Sequence, residues 1–144
     1  MFKNKEGFTL IELIIAISIL AVIIAFALPN ITSTLENYKK EQMIIDAKDM
    51  VEKAKNYILI NKPEGKKLFY LAEIDSRKEI KNSPFGNNYI GDSYIEIVKK
   101  TDVNSNITTI YKIYLSDGTM CIGKNGGPLD ISEISTEKVI ECNL

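Results

Sequence analysis

From Phe8 to Leu28 the chain is one apolar run broken by a single acid, Glu12. A helix rising 1.5 Å per residue needs roughly 20 residues to cross the hydrocarbon of a bilayer, so this run is long enough to span one once. Past it the pattern changes. Met43, Ile44, Ala47, Met50, Val51, Ala54, Tyr57 and Ile58 recur at offsets of three and four with Lys, Asp and Glu between them, which predicts an amphipathic helix with one face to cover. Pro29 lacks an N–H and clashes with the preceding turn, so a bend or a loosened stretch is expected over residues 25–29 within a continuing helix. One helix from about Phe8 to Ile60 would be roughly 80 Å long. The run Asn61-Lys62-Pro63-Glu64-Gly65 stops it, Pro63 by its ring geometry and Gly65 by its permissive backbone.

The second half reads as a small antiparallel sheet laid on the amphipathic face. Tyr94 to Val98 alternates, Thr101 to Asn106 is polar and turn-like, and Ile107 to Leu115 is rich in Ile, Thr and Tyr. Asp117-Gly118 signals a tight turn, after which Thr119 to Ile122 returns beside the preceding strand. Each strand has one face that needs a cover, and the amphipathic half of the helix is the large apolar surface able to provide it. Between helix and sheet, Pro84, Gly86 and the paired Asn87 and Asn88 favour turns, while Phe85 and Tyr89 can pin the loop to the core.

Composition narrows the function. The 144 residues hold one modest domain beyond the apolar run. The net charge is -1, and removing Lys3, Lys5 and Glu6 makes it more acidic, so global charge offers no basic footprint for DNA. There is no histidine, no Gly-rich loop followed by Lys and Ser or Thr, and no G-x-S-x-G elbow, so catalysis has little to build on. The pairs Asp46 and Asp49, and Asp49 and Glu52, share a helix face, where carboxylates are usually just solvated. Asp102, Asn104 and Asn106 alternate, with Asp117 and Asp130 elsewhere, yet no EF-hand spacing follows, and solvated turn chemistry is the better reading. The expectation is no enzyme, no cofactor and no assigned metal ligand.

Glu12 is the anomaly. Burying a carboxylate in a bilayer costs about 3 kcal/mol or more at the centre, so something must offset its charge. Lys3 and Lys5 precede the run and the next basic residue is Lys39, which by the positive-inside rule puts the amino end in the cytoplasm and everything after Leu28 outside.

The basic residues Lys3 and Lys5, the Gly7-Phe8 junction, Glu12 four residues further on and Pro29 just past the apolar run together resemble the processing site of type IV pilins and of the related pseudopilins of type II secretion systems. The resemblance is close only as far as Pro29. It implies that a prepilin peptidase cuts after Gly7 on the cytoplasmic side and methylates the new amino terminus, Phe8. The subunits then polymerise into a filament through Phe8, Glu12 and Pro29, driven by an assembly platform and its ATPase. The implied fold is α+β and type IV pilin-like, with a long transmembrane and amphipathic helix carrying a small sheet on its carboxy-terminal half. The implied layout is a leader over 1–7, a transmembrane and filament-core helix over 8–28, its amphipathic continuation over 29–61, a connecting region over 62–92, and the sheet with a carboxy-terminal loop over 93–144. Such a protein sits in the cytoplasmic membrane before assembly and on the cell surface after it.

Within that resemblance, cleavage would place an ammonium on Phe8, four residues from Glu12, so the acid can be neutralised by a terminal amine, its own or a neighbour's, and fix axial register. Cys121 and Cys142, the two cysteines, fall in the part expected outside the cytoplasm, where disulfides persist. Their pairing would resemble the carboxy-terminal loop of many type IV pilins; the alternative is two buried free thiols. The segment Ser83 to Tyr89 resembles the Pro-aromatic-Gly-Asn stretch in the connecting region of many pseudopilins and some pilins.

A major type IV pilin is the first expectation, with a minor pilin or a pseudopilin of a secretion or DNA-uptake system next, and a non-polymerising membrane-anchored binding module the reading from another class. Adhesion, twitching motility, aggregation and DNA uptake are the roles open to such a filament. Two plainer readings compete. A secretory signal peptide would use Ala25-Phe26-Ala27 as its cleavage site, but the apolar run is longer than usual and holds Glu12. A plain single-span anchor leaves Gly7, Phe8 and the acid unexplained.

Overall fold

The computed structural model describes residues 8–75, 82–123 and 127–142. Helix α1 runs Leu10–Asn61 with Pro29 inside it, so the helix continues through the proline as expected. The Thr32 hydroxyl donates to the Pro29 carbonyl at 3.0 Å, and the Ser18 hydroxyl to the Ile14 carbonyl at 2.8 Å. The chain divides into two units, Met1–Glu36 and Asn37–Leu144, each considered by itself.

In the first unit the described part is helix from Leu10 on, preceded by Phe8 and Thr9. In the second, α1 ends as the sequence predicts. Asn61 donates from its side-chain amide to the Tyr57 carbonyl at 3.0 Å, and the Lys62 N–H closes on the Ile58 carbonyl at 2.9 Å. Lys62 itself takes a left-handed backbone (φ 43°) and Pro63 follows, so the ladder cannot continue.

The remaining elements are β1 (Leu68–Tyr70), α2 (Leu71–Ile74), β2 (Tyr94–Thr101), β3 (Ile107–Ser116), β4 (Met120–Ile122), β5 (Leu129–Asp130) and β6 (Val139–Glu141), with short 3-10 turns at Ile131–Glu133 and Thr136–Lys138. The pairing is antiparallel throughout, in the order β1-β2-β3-β4-β6, with β5 alongside β3. The β2–β3 hairpin is the spine: Tyr94 faces Tyr114 at one end and Thr101 faces Ile107 at the other. Its turn holds the polar stretch read as turn chemistry. Asp102 donates its N–H to the Asn106 carbonyl at 2.9 Å and accepts the Val103 N–H on Oδ1 at 2.6 Å.

Helix and sheet share one core. Met43, Ile44, Ala47, Met50, Val51 and Ala54 are buried, as their spacing predicts, against Phe69, Ile95, Ile113, Leu115, Ile122 and Val139. Tyr57 and Ile58 complete the same face, partly covered. The fold is therefore α+β, a long amino-terminal apolar helix followed by a small antiparallel sheet. The strands beyond the expected ones, β1, β5 and β6, are two or three residues long, too short to show period-two alternation. They are held by edge pairing to strands the pattern did reveal. Gly123, at the end of β4, is required sterically: a Cβ there would lie 2.8 Å from the Ile113 carbonyl, and its φ is +75°.

Candidate processing and assembly segment

Gly7, the expected last leader residue, lies outside the described residues. Phe8 is 92% exposed and precedes the first helical residue, Leu10. Thr9 is the N-cap. Its N–H and its hydroxyl both donate to Glu12 Oε2 at 2.8 Å, while the Glu12 N–H donates back to Thr9 Oγ1 at 3.3 Å. The Leu13 N–H then takes the Thr9 carbonyl at 3.2 Å, the first rung of the helix. This is a reciprocal capping box, in which two orphan donors of the helix start are satisfied by each other's side chains.

The sequence reading assigned Glu12 to the terminal amine and missed this role. The signal was present, since Thr9-x-x-Glu12 directly before an apolar run is the pattern such a cap leaves. The consequence is geometric: the carboxylate folds back over the first turn onto the Thr9 N–H and hydroxyl. An acid at a helix amino end also meets the favourable end of the helix dipole.

Over residues 10–28 the large apolar side chains lie exposed. Among the described residues this is the one helix long and apolar enough to cross a membrane, with a window of mean hydropathy 2.9 and 0% burial. Leu10, Ile17, Ile24 and Leu28 are all more than two-fifths exposed. A surface of that kind needs lipid or other helices.

The comparison with known families decides what this segment is. Residues 2–28 match the prokaryotic N-terminal methylation motif. The chain carries the prepilin signature of type IV pilins and pseudopilins. No curated protein and no solved structure matches the chain. The prepilin signature implies processing by a prepilin peptidase and entry into an assembling filament system, and with the apolar helix it fits a membrane-anchored single-pass protein.

The second unit carries the other residues singled out in the sequence. Cys121 and Cys142 form a disulfide with a Cα–Cα distance of 5.3 Å and a separation of 21 residues. It ties β4 to the residue after β6, and the Ser116 hydroxyl packs against it, 3.3 Å from the Cys142 sulfur. Cys142 N–H also donates to the Thr119 carbonyl at 2.7 Å.

The loop from Ser83 to Tyr89 closes on itself, with the Ser83 N–H on the Asn87 carbonyl at 2.7 Å and the Gly86 N–H on the Ser83 carbonyl at 2.9 Å. Phe85 and Tyr89 both pack on the core, and Lys39 sits over the Phe85 ring at 5.8 Å. The role visible here is structural.

Of the acidic residues weighed for metal, Asp102 and Asp117 hold turns. Asp117 Oδ1 accepts from the N–H groups of Thr119 at 2.8 Å and Met120 at 2.7 Å, and from the Thr119 hydroxyl at 2.8 Å. Asp130 caps the first 3-10 turn through Ser132, whose N–H and hydroxyl lower its carboxyl below the usual range. Among the described residues no three His, Cys, Asp or Glu side chains gather where a metal could be held.

Proposed function

We propose that the chain is a structural subunit of a type IV pilus: cut after Gly7, methylated on Phe8, and stacked into a helical surface filament. The observation that carries this reading is the methylation motif over residues 2–28 at the head of a helix whose apolar side chains are exposed in the single chain. In this reading residues 1–7 are the leader and 8–28 span the membrane before packing in the filament core. Residues 29–61 continue the helix, 62–92 connect it to the sheet, and 93–144 form the exterior with the disulfide loop. Before assembly the amino end lies in the cytoplasm and the sheet outside. The partners are a prepilin peptidase and methyltransferase, an assembly platform with its ATPase, and further copies of the chain.

Phe8, Glu12 and Pro29 are the assembly residues of the proposal. The capping box supports a specific role for Glu12, since it presents the carboxylate at the helix start, where the new ammonium of Phe8 forms on cleavage. A pseudopilin would share every one of these amino-terminal features.

Intact mass and amino-terminal fragment spectra of protein sheared from native cells test the reading, compared with the cell-bound pool. Abundant high-molecular-weight sheared protein beginning at methylated Phe8 supports a surface pilin. Phe8-starting protein found only with cells moves the assignment to a pseudopilin, a minor subunit or a non-polymerising module. A start near Leu28 overturns the pilin reading.

A further inference from the structure

Strand β2 is covered along one edge for only part of its length. β1 pairs with Tyr94, Ile95 and Glu96, and the Lys67 carbonyl takes the Ile97 N–H at 2.7 Å. Beyond that point the register would set Gly65 opposite Lys99, but Gly65 has φ +71° and lies in the turn that carries the chain away through Pro63. Successive residues of a strand aim their N–H and C=O groups at alternate edges, so those of Lys99 face the same side as those of Ile97. Among the described residues no backbone group meets them there.

A groove of about 600 Å³ adjoins this bare edge, floored by β2 and β3 and walled by the turn through Pro63 and Gly65. Its apolar lining includes Ile58, Phe69, Ile97 and Tyr111, and its rim carries Lys66, Lys67 and Lys99. Lys66 is committed: its ammonium sits 2.6 Å from Glu73 and 5.4 Å from the Phe69 ring centroid. Lys67 and Lys99 are exposed, and no ion pair holds either among the described residues. Glu96 is the acid on the wall.

An open strand edge, an apolar trough beside it and two uncommitted lysines on its lips point to one occupant. We propose that this groove binds an extended acidic peptide of a partner protein, which adds as a short strand along β2 at Lys99. Main-chain hydrogen bonds to Lys99 would supply the docking, as in strand addition generally. Alternate side chains of an added strand face opposite sides, so one apolar residue enters the trough while the flanking carboxylates meet Lys67 and Lys99. Lysines on an exposed edge discourage pairing with neutral or basic strands, which makes the acidic character of the partner the selective element.

The test uses the full chain, isotope-labelled and held in detergent micelles, titrated with an acetylated, amidated peptide of alternating Glu and Val. A peptide of alternating Lys and Val is the control. The expected result is saturable shifts of the Lys99 and Ile97 amides with the acidic peptide alone, weakening as salt rises. K67E/K99E should weaken the acidic peptide at least tenfold and admit the basic one, a reversal that a merely unfolded variant could not produce. K99P, which removes the edge N–H while Pro is tolerated on an open edge, should weaken binding with an unchanged spectrum for β3. Absence of saturable shifts, equal binding of both peptides, or the same shifts on raising protein concentration without peptide would overturn the proposal, the last in favour of a second copy of this chain.

Discussion

The Tyr89 hydroxyl donates to Asp46 Oδ2 across 2.6 Å, joining the loop before β2 to the amphipathic half of α1 over 43 residues of sequence. Burial pushes the Asp46 carboxyl up, the Tyr89 hydrogen bond pulls it down, and the nearby Asp49 charge adds to the rise, leaving it above the usual range. Burial and the Asp46 charge together push the Tyr89 hydroxyl far above its ordinary value, so it remains a donor at all working pH. Tyr89→Phe removes the donor from a half-buried carboxylate, and the expected loss is about 1–3 kcal/mol of stability at neutral pH. The folded chain binds the Asp46 proton more tightly than the unfolded chain, so stability from this group is greatest below the ordinary Asp range and falls as pH rises through the elevated folded value. The variant raises that value further, so its deficit should shrink on acidification. Urea denaturation of both proteins at neutral and mildly acid pH measures it; an equal deficit at both would refute the charge account.

Asp117 should give the opposite pH response. Burial raises its carboxyl, but the backbone N–H of Met120, the Ser83 hydroxyl, and the N–H and hydroxyl of Thr119 outweigh that and hold it below the usual range. The unfolded chain therefore takes up the proton first. The contribution is fully present above the ordinary Asp range and is lost as pH falls through the lowered folded value. Asp117→Asn should be less stable at neutral pH and show a flatter acid limb, read by thermal denaturation across pH. A variant with the native acid limb would show that Asp117 does not govern it.

The disulfide closes β6 onto the sheet, and among the described residues β6 makes its ladder with β4 alone. Closing a loop of this size contributes about 3 kcal/mol, chiefly by restricting the unfolded chain. Cys121→Ser, or reduction, should lower stability by about that amount and expose the segment after Gly127 to proteolysis. Unchanged protease resistance and denaturation midpoint in the reduced protein would mean that β6 is held by its pairing alone.

How much of this was legible beforehand depended on which physical signal each part carries. The helix face from Met43 to Ile58 was readable because burial imposes a 3.6-residue period, and the β2–β3 hairpin because Tyr94 to Val98 and Ile107 to Leu115 are long enough to alternate. β1 was not, since Leu68–Tyr70 is held by its partner strand and shows no pattern of its own. Pro29 was read as lying within a continuing helix, and α1 runs across it, because loss of a single rung leaves the neighbouring rungs in place. The pairing of Cys121 with Cys142 needed a fold to bring β4 and β6 together, which spacing alone does not encode. Tyr89 was rightly read as a pin, but its partner Asp46 could not be named, because the contact is set by tertiary packing. The Thr9 cap is written in the sequence, as Thr9-x-x-Glu12 directly before an apolar run.

That charge and that cap can be separated. Glu12→Ala removes both the carboxylate and the acceptor for the Thr9 donors, so it cannot tell a helix start from a charge pair. Glu12→Gln keeps an acceptor at the same reach, and Gln serves in a capping box as Glu does, while the negative charge is gone. Thr9→Val removes the cap hydroxyl and leaves the charge, at a cost of about 1 kcal/mol to the helix start. If Glu12 acts by pairing with the ammonium of a processed Phe8, Glu12→Gln should lose filaments as fully as Glu12→Ala, with processing after Gly7 retained in both. Thr9→Val should keep most of its filaments. The readouts are the mass of the amino-terminal fragment for processing and the yield of sheared high-molecular-weight protein for assembly. Normal filament yield from Glu12→Gln together with loss in Thr9→Val would reverse the assignment, making the cap, and with it the orientation of the first turn, the property that assembly requires.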